Sequence, residues 1–214
     1  LAAAALCLAA AYYMRTAGLA MLAAAPLYLL LRRRWRAAVA MGAALLALAL
    51  PWLLRSSAPP TPETPFFARS YIHQVLALAP YSEQNATLAD LLGRVAGNSW
   101  TYAVTILPET MLPHLARLGP LARAAALAMA ALVVLGFLLE LRRRLHASEL
   151  AVAAYWLSLS LFVWVLGFRY VAVILPFAFL YLLVGLEWCA QRVAEVANRG
   201  RARLSTTLPA AVLL

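Results

Sequence analysis

Long apolar runs separated by short arginine clusters constrain this chain more than any other feature. About 20 apolar residues are needed to cross a bilayer, and five segments approach that length after a shorter one at the start. The six segments are residues 1–12, 13–31, 37–54, 121–141, 147–166 and 170–188. Hydrophobic residues make up 65% of the chain, against about 45 to 50% in soluble domains. The pattern predicts an all-α, polytopic transmembrane bundle of about six helices.

The arginine clusters predict which ends of these helices face the cytoplasm. Every basic residue is an arginine, and the net charge is +10. Clusters fill the short loops 32–36, 142–144 and 192–203, and an excess of arginine in short loops is typical of the cytoplasmic side. The clusters adjoin apolar helix ends and lack the polar or stacking partners of a nucleic-acid surface. We therefore expect no nucleic-acid partner and an integral membrane protein of the bacterial plasma membrane.

This orientation divides the chain into five parts. They are transmembrane helices in 1–54, an extracytoplasmic loop in 55–120, transmembrane helices in 121–189, a cytoplasmic basic segment in 190–207 and the start of a further helix in 208–214. Both ends fall within apolar runs, which predicts a fragment of a longer protein.

The loop 55–120 is too long for a simple connection and is expected to have its own structure. Thr87 and Asp90 form an acidic variant of a capping box, which predicts the start of a helix. Apolar residues recur at helical spacing in two places: 67, 71, 75 and 78, then 88, 91, 92 and 95. We expect amphipathic helices at the membrane interface, with Trp100 and Tyr102 as anchors.

Two arginines stand at predicted outer helix ends, against the bias that places arginine inside. Arg169 lies in the turn 167–170 and Arg15 in the turn 13–16. A guanidinium at this position is suited to hold a phosphate through two hydrogen bonds. The alternative is that each side chain snorkels and satisfies carbonyls at a helix end.

Outward carboxylates are the remaining candidates for chemistry. Asp90 is explained by helix capping, and Glu109 is the best candidate for a general base, although a solvated loop acid needs no function. The other candidates are Glu63 and Glu83. His73 and His114 lack metal-ligand spacing, and Cys7 and Cys189 form no CxxC motif, so no metal or redox site is predicted.

Several runs resemble bacterial GT-C glycosyltransferases, the polyprenyl-phosphate-sugar-dependent enzymes related to protein O-mannosyltransferases and lipid A aminoarabinose transferases. The runs are Arg15 to Ala20, Leu31 to Arg36, Leu50 to Arg55 and Phe168 to Phe177, with Tyr81, Arg94 and Leu107-Pro108-Glu109 in the long loop. The resemblance implies an enzyme that transfers a sugar from a lipid-phosphate donor to a lipid or protein acceptor at the outer face.

The same resemblance implies roles for particular residues. Arg15 and Arg169 would neutralise the donor phosphate as the glycosidic bond breaks. The essential acidic residue of these enzymes lies in the first outer loop, and this chain is expected to begin after that loop, so the catalytic residue is unknown. A divalent metal ion assists in some members of the family.

Three other functions remain open on the sequence. An O-antigen ligase or polymerase also combines membrane helices with a large outer loop whose arginines bind a lipid-linked phosphate. A membrane transporter would show inverted repeats and charged helix centres, which are lacking here. A non-catalytic membrane protein would tolerate the loss of Arg15 and Arg169.

Overall fold

The computed structural model describes residues 2–14, 19–56, 71–79, 82, 84–113 and 119–211. Within these ranges every regular element is a helix, apart from one isolated bridge between Ala77 and Asn85. This confirms the all-α prediction. The helices are α1 (Ala2–Met14), α2 (Leu19–Leu31), α3 (Trp35–Ser56), α4 (Tyr71–Leu76), α5 (Leu88–Thr101), α6 (Leu107–Met111), α7 (Pro120–Arg143), α8 (Ala147–Leu161), α9 (Phe168–Val171) and α10 (Leu175–Ala211).

The first three helices pack together around a small apolar core. Their core comprises Ala5, Leu22, Met41, Leu45 and Ala49, which are all buried. Alanine at the contacts lets the helix backbones approach closely, as is typical of helices packed within a membrane. Helix α2 also packs against α8 and thereby joins this unit to the rest of the protein.

Helices α7 and α10 form the closest pair in the described structure. A Cβ atom added at Gly136 would overlap the backbone carbonyl of Tyr181, and one added at Gly185 would overlap that of Leu132. Glycine is therefore required at both positions for steric reasons. The ring of Phe137 packs edge-on against Tyr181, with the ring centroids 5.3 Å apart.

Helix α8 is shorter than its apolar sequence predicts. The segment 147–166 is expected to span the membrane, but the helix ends at Leu161 and residues 162–167 are not helical. Tyr155 donates a hydrogen bond to the Tyr170 carbonyl near this end, while Tyr181 contacts Glu149 near the other. These two contacts show that α8 and the α9–α10 segment run antiparallel to each other.

The long loop contains one continuous helical rod from Leu88 to Met111. Helix α5 runs into a π-helical segment, Tyr102–Ile106, and then into α6. The Thr87 hydroxyl accepts from the Asp90 N–H, and the Asp90 carboxylate accepts from the Thr87 N–H at 2.8 Å. The predicted capping box is thus confirmed. Leu88, Leu92 and Trp100 on α5 are exposed, in keeping with an amphipathic helix. Tyr102 is fully buried, so its predicted role as an interfacial anchor is wrong.

Two helical segments, not six, are long and apolar enough to cross a membrane within the described residues: Leu121–Arg143 and Phe168–Asn198. Only 28% of each apolar window is buried, so both expose most of their apolar surface. The shorter apolar helices are Leu22–Leu31, Trp35–Pro51 and Ala147–Leu161. At 1.5 Å per residue, α2 with 13 residues and α8 with 15 residues rise about 20 and 23 Å, less than the ~30 Å hydrocarbon layer. Helix α3 as a whole, with 22 residues, rises about 33 Å. The prediction of about six complete spans is therefore not confirmed.

Candidate functional site

The end of α8 is closed by a guanidinium from the loop 55–120. Arg94 Nη1 donates to the carbonyls of Val75 at 2.7 Å and Leu161 at 3.2 Å. Its Nη2 donates to Ala77 at 2.6 Å and Leu78 at 3.2 Å. The last carbonyls of a helix have no partner within the helix and carry partial negative charge. Arg94 thus satisfies the C-terminal ends of α4 and α8 together.

Three further polar side chains of the rod 88–111 contact the C-terminal end of α8 and the residues that follow it. The Asn98 amide donates to the carbonyls of Ser160 at 3.0 Å and Phe162 at 2.8 Å. Ser99 Oγ lies 2.9 Å from Ser160 Oγ, and the Tyr102 hydroxyl accepts from the Leu166 N–H at 2.7 Å. Burial raises the pKa of Tyr102, so this hydroxyl stays neutral at physiological pH.

The spacing of these residues along the sequence explains why they act together. Positions 94, 98, 99 and 102 are separated by four, one and three residues, which places them on one face of a helix. We name these four residues the α5 polar stripe. The last carbonyls of a helix need partners from elsewhere in the protein or from solvent, and the stripe supplies them where α8 stops short.

An apolar cavity of about 290 Å³ lies beneath the polar stripe. It is lined by the rod 88–111, by α7 and α8, and by the segment from Ile174 into α10, and it is partly open to the surface. Its lining includes Val95, Ala103, Ala130, Val134, Ile174 and Ala178. Ser99 and Trp156 also line it, and their polar atoms bond to each other at 3.2 Å. The cavity therefore suits a hydrocarbon group.

A buried carboxylate near the other end of α8 was not singled out in the sequence. Glu149 is 4% exposed and accepts from the His146 N–H at 2.8 Å and from Ser148 Oγ at 3.0 Å. Tyr181, which lines the cavity, approaches it to 3.5 Å. The sequence contains one indication of this role: Glu149 lies three residues after His146 at the start of an apolar run, which is a capping-box pattern. Glu149 anchors α8 to α10.

Arg169 lies where the sequence predicts, in the turn between α8 and α10. It belongs to the short helix α9 and is exposed, with its guanidinium 5.4 Å from the centre of the Tyr170 ring. The hydrogen bond from Tyr155 to the Tyr170 carbonyl fixes this turn. Ile174, five residues further on, lines the cavity. At 1.5 to 2.0 Å per residue, about 8 to 10 Å of helical rise separates them.

The other predicted site residues do not join this arrangement in the described structure. Glu109 is exposed in the first turn of α6. His73 lies in α4. Arg15, Glu63, Tyr81, Glu83 and His114 lie outside the described residues. Among the residues that are described, no group of three or more His, Cys, Asp or Glu side chains is arranged to hold a metal ion.

Arg94, one of the residues that carry the resemblance to GT-C enzymes, has a structural role. Four of its five N–H donors have carbonyl partners, and partial burial lowers its pKa. It therefore closes helix ends instead of presenting a free fork to a phosphate.

No protein-family model, curated protein or solved structure matches this chain. Its function is accordingly inferred from its residues and their geometry.

Proposed function

We propose that the protein is an integral membrane glycosyltransferase that takes a sugar from a polyprenyl-phosphate donor. The acceptor is a lipid or a protein at the outer face of the membrane. The observation that carries the proposal is an apolar cavity one to two helical turns from an exposed arginine. A lipid phosphate is complementary to this arrangement, because its anionic group is followed by a hydrocarbon chain.

The cavity supports the hydrocarbon part of this ligand. Burial of each CH₂ group contributes about 0.8 kcal/mol, and 290 Å³ is close to the lower limit of ordinary ligand pockets. The cavity therefore accommodates a segment of a polyprenyl chain, and the remainder extends along the exposed apolar surface of α7 and α10. Val134 and Leu183, 52% and 63% exposed, belong to that surface.

Arg169 supports the phosphate part. A phosphate leaving group gains negative charge as the glycosidic bond breaks, and a preorganised guanidinium stabilises that charge. The backbone of the turn that carries Arg169 is held by the hydrogen bond from Tyr155 to the Tyr170 carbonyl. Arg15 is proposed as a second phosphate-binding residue from its sequence position alone.

The proposal has a direct test in membranes that contain the complete protein and a polyprenyl-phosphate sugar. Arg169→Ala should abolish transfer while expression and topology stay normal. The matched control is Arg143→Ala, because Arg143 is also exposed but pairs with Glu140 at 3.1 Å at the opposite helix end. Equal turnover in wild type and Arg169→Ala would overturn the phosphate role.

The cavity can be tested separately. Ala130 is buried and lines the cavity, so Ala130→Phe should fill part of it and raise KM for the lipid donor. Ala43 is exposed on α3, and Ala43→Phe serves as the size-matched control. An unchanged KM in a folded Ala130→Phe variant would exclude the cavity as the chain-binding site.

A further inference from the structure

The turn between α2 and α3 carries uncompensated positive charge. Arg32, Arg33, Arg34 and Arg36 are all exposed, and the first 62 residues contain no aspartate or glutamate. None of the four forms an ion pair within the part of the chain that the structure describes. No carboxylate of the three-helix unit therefore compensates the charge of this turn.

Each of the other two arginine clusters contains one arginine that pairs with a carboxylate of its own helix. Arg143 pairs with Glu140 at 3.1 Å, and Arg192 pairs with Glu195 at 2.8 Å. Both pairs are formed along a single helix, three residues apart. Among the described residues, the α2–α3 turn is the arginine cluster without such a pair, which a requirement for positive charge at helix ends alone does not explain.

Arg33 occupies a backbone conformation that favours glycine. Its φ angle is +58°. The Arg34 N–H bonds to the Leu29 carbonyl and the Arg33 N–H to the Leu30 carbonyl, which is the Schellman arrangement that ends a helix. Glycine is the usual residue at the left-handed position. Glycine would adopt this conformation with less strain, whereas arginine provides a positive charge at the same position.

Apolar side chains on both sides place this turn at a membrane surface. Leu31 is 53% exposed and Trp35 is 63% exposed, and tryptophan is enriched at the level of lipid headgroups. Arg32 lies 5.6 Å from the centre of the Tyr28 ring and donates to its hydroxyl. This contact orients one guanidinium and leaves its remaining N–H donors available.

We infer that the α2–α3 turn binds the phosphodiester headgroup of an anionic phospholipid, with Arg33 as a principal contact. Arginine forms strong, charge-assisted hydrogen bonds to phosphate oxygens. The site lies in a different part of the chain from Arg169 and the cavity, and it requires no glycosyltransferase activity.

Competition between two lipids tests this site on the full chain. The purified protein is given equal amounts of phosphatidylglycerol and phosphatidylcholine, and the bound ratio is measured by native mass spectrometry. Arg33→Gly should lower the preference for phosphatidylglycerol about fivefold, since one arginine near an anionic surface contributes about 1 kcal/mol. The variant should fold at least as well as wild type, because glycine relieves the strained turn.

Two controls make the result decisive. Arg34→Gln, at a position without left-handed geometry, should lower the preference in the same way, whereas Arg143→Gln should leave it unchanged. An unchanged ratio in Arg33→Gly, or an equal fall in Arg143→Gln, would overturn the inference. Loss of bound phosphatidylglycerol on addition of an equal concentration of inorganic phosphate would show a general anion site and overturn the lipid assignment.

Discussion

Removing the Arg94 side chain should release the end of α8 while leaving the membrane helices in place. Arg94 contacts four carbonyls from two helix ends, and three of these hydrogen bonds are partly buried. In Arg94→Ala those carbonyls lose a charged donor. The fourth, to Leu78, is exposed and can be replaced by water.

The expected magnitude follows from the three partly buried hydrogen bonds. A carbonyl that loses such a donor costs about 1 to 1.5 kcal/mol after partial rescue by water, which amounts to about 3 to 5 kcal/mol in total. Arg94→Lys should give an intermediate loss, because an ammonium group is a compact charge that cannot reproduce the planar fork.

Hydrogen exchange reports this loss locally. In Arg94→Ala, amides of residues 160–166, including the Leu166 N–H bound to Tyr102, should exchange at least a hundredfold faster, since each 1.4 kcal/mol is a factor of ten. Arg123→Ala is the matched control, because Arg123 is exposed in the first turn of α7. Equal exchange in Arg94→Ala and Arg123→Ala would refute the helix-closing role.

Three further predictions follow from the described contacts. Gly136→Ala should destabilise the α7–α10 pair by about 1 to 3 kcal/mol through overpacking, which would be measured as a lower Tm. The control Gly42→Ala should leave Tm unchanged, because a Cβ atom at Gly42 would meet nothing within 4 Å. Hydrogen bonds from Thr87 hold the pKa of Asp90 below its usual value. The ionised Asp90 carboxylate therefore stabilises α5 fully above about pH 4, and this stabilisation is lost as pH falls through the lowered pKa. Asp90→Asn should abolish that acid-dependent loss of helicity. Asn98→Ala should speed exchange near Ser160 and Phe162, by less than Arg94→Ala does; an equal or larger effect would contradict the ranking.

The positions of the helices could be predicted well from the sequence because they follow local rules. Apolar runs gave helices at all six expected segments, and the Thr87–Asp90 pattern correctly marked the start of α5. The turn with Arg169 was also located. Each of these features depends on residues close together in the chain.

The early end of α8 could not be predicted in this way. The residues 162–166 are as apolar as those before them, so hydropathy extends the helix. The helix can stop because Arg94 and Asn98, more than 60 residues away, satisfy its carbonyls. Such long-range partners leave no periodic signal in a single sequence.

The candidate site was only partly visible from the sequence for the same reason. Arg94 is one of the residues that resemble the GT-C pattern in sequence, yet its guanidinium donates hydrogen bonds to four backbone carbonyls. The cavity arises from four helices that converge, and the contact between Glu149 and Tyr181 joins residues 32 positions apart. These features depend on tertiary packing.

The most direct test of the proposed orientation is to measure which side of the membrane each helix end faces. In a background without Cys7 and Cys189, single cysteines are placed at positions 169 and 90, and at 33 and 143, and whole cells are treated with a membrane-impermeant maleimide. The proposed orientation predicts labelling at 169 and 90 in intact cells, and at 33 and 143 only after permeabilisation. Labelling of 169 and 143 from the same side would contradict the orientation on which the proposed lipid-phosphate site depends.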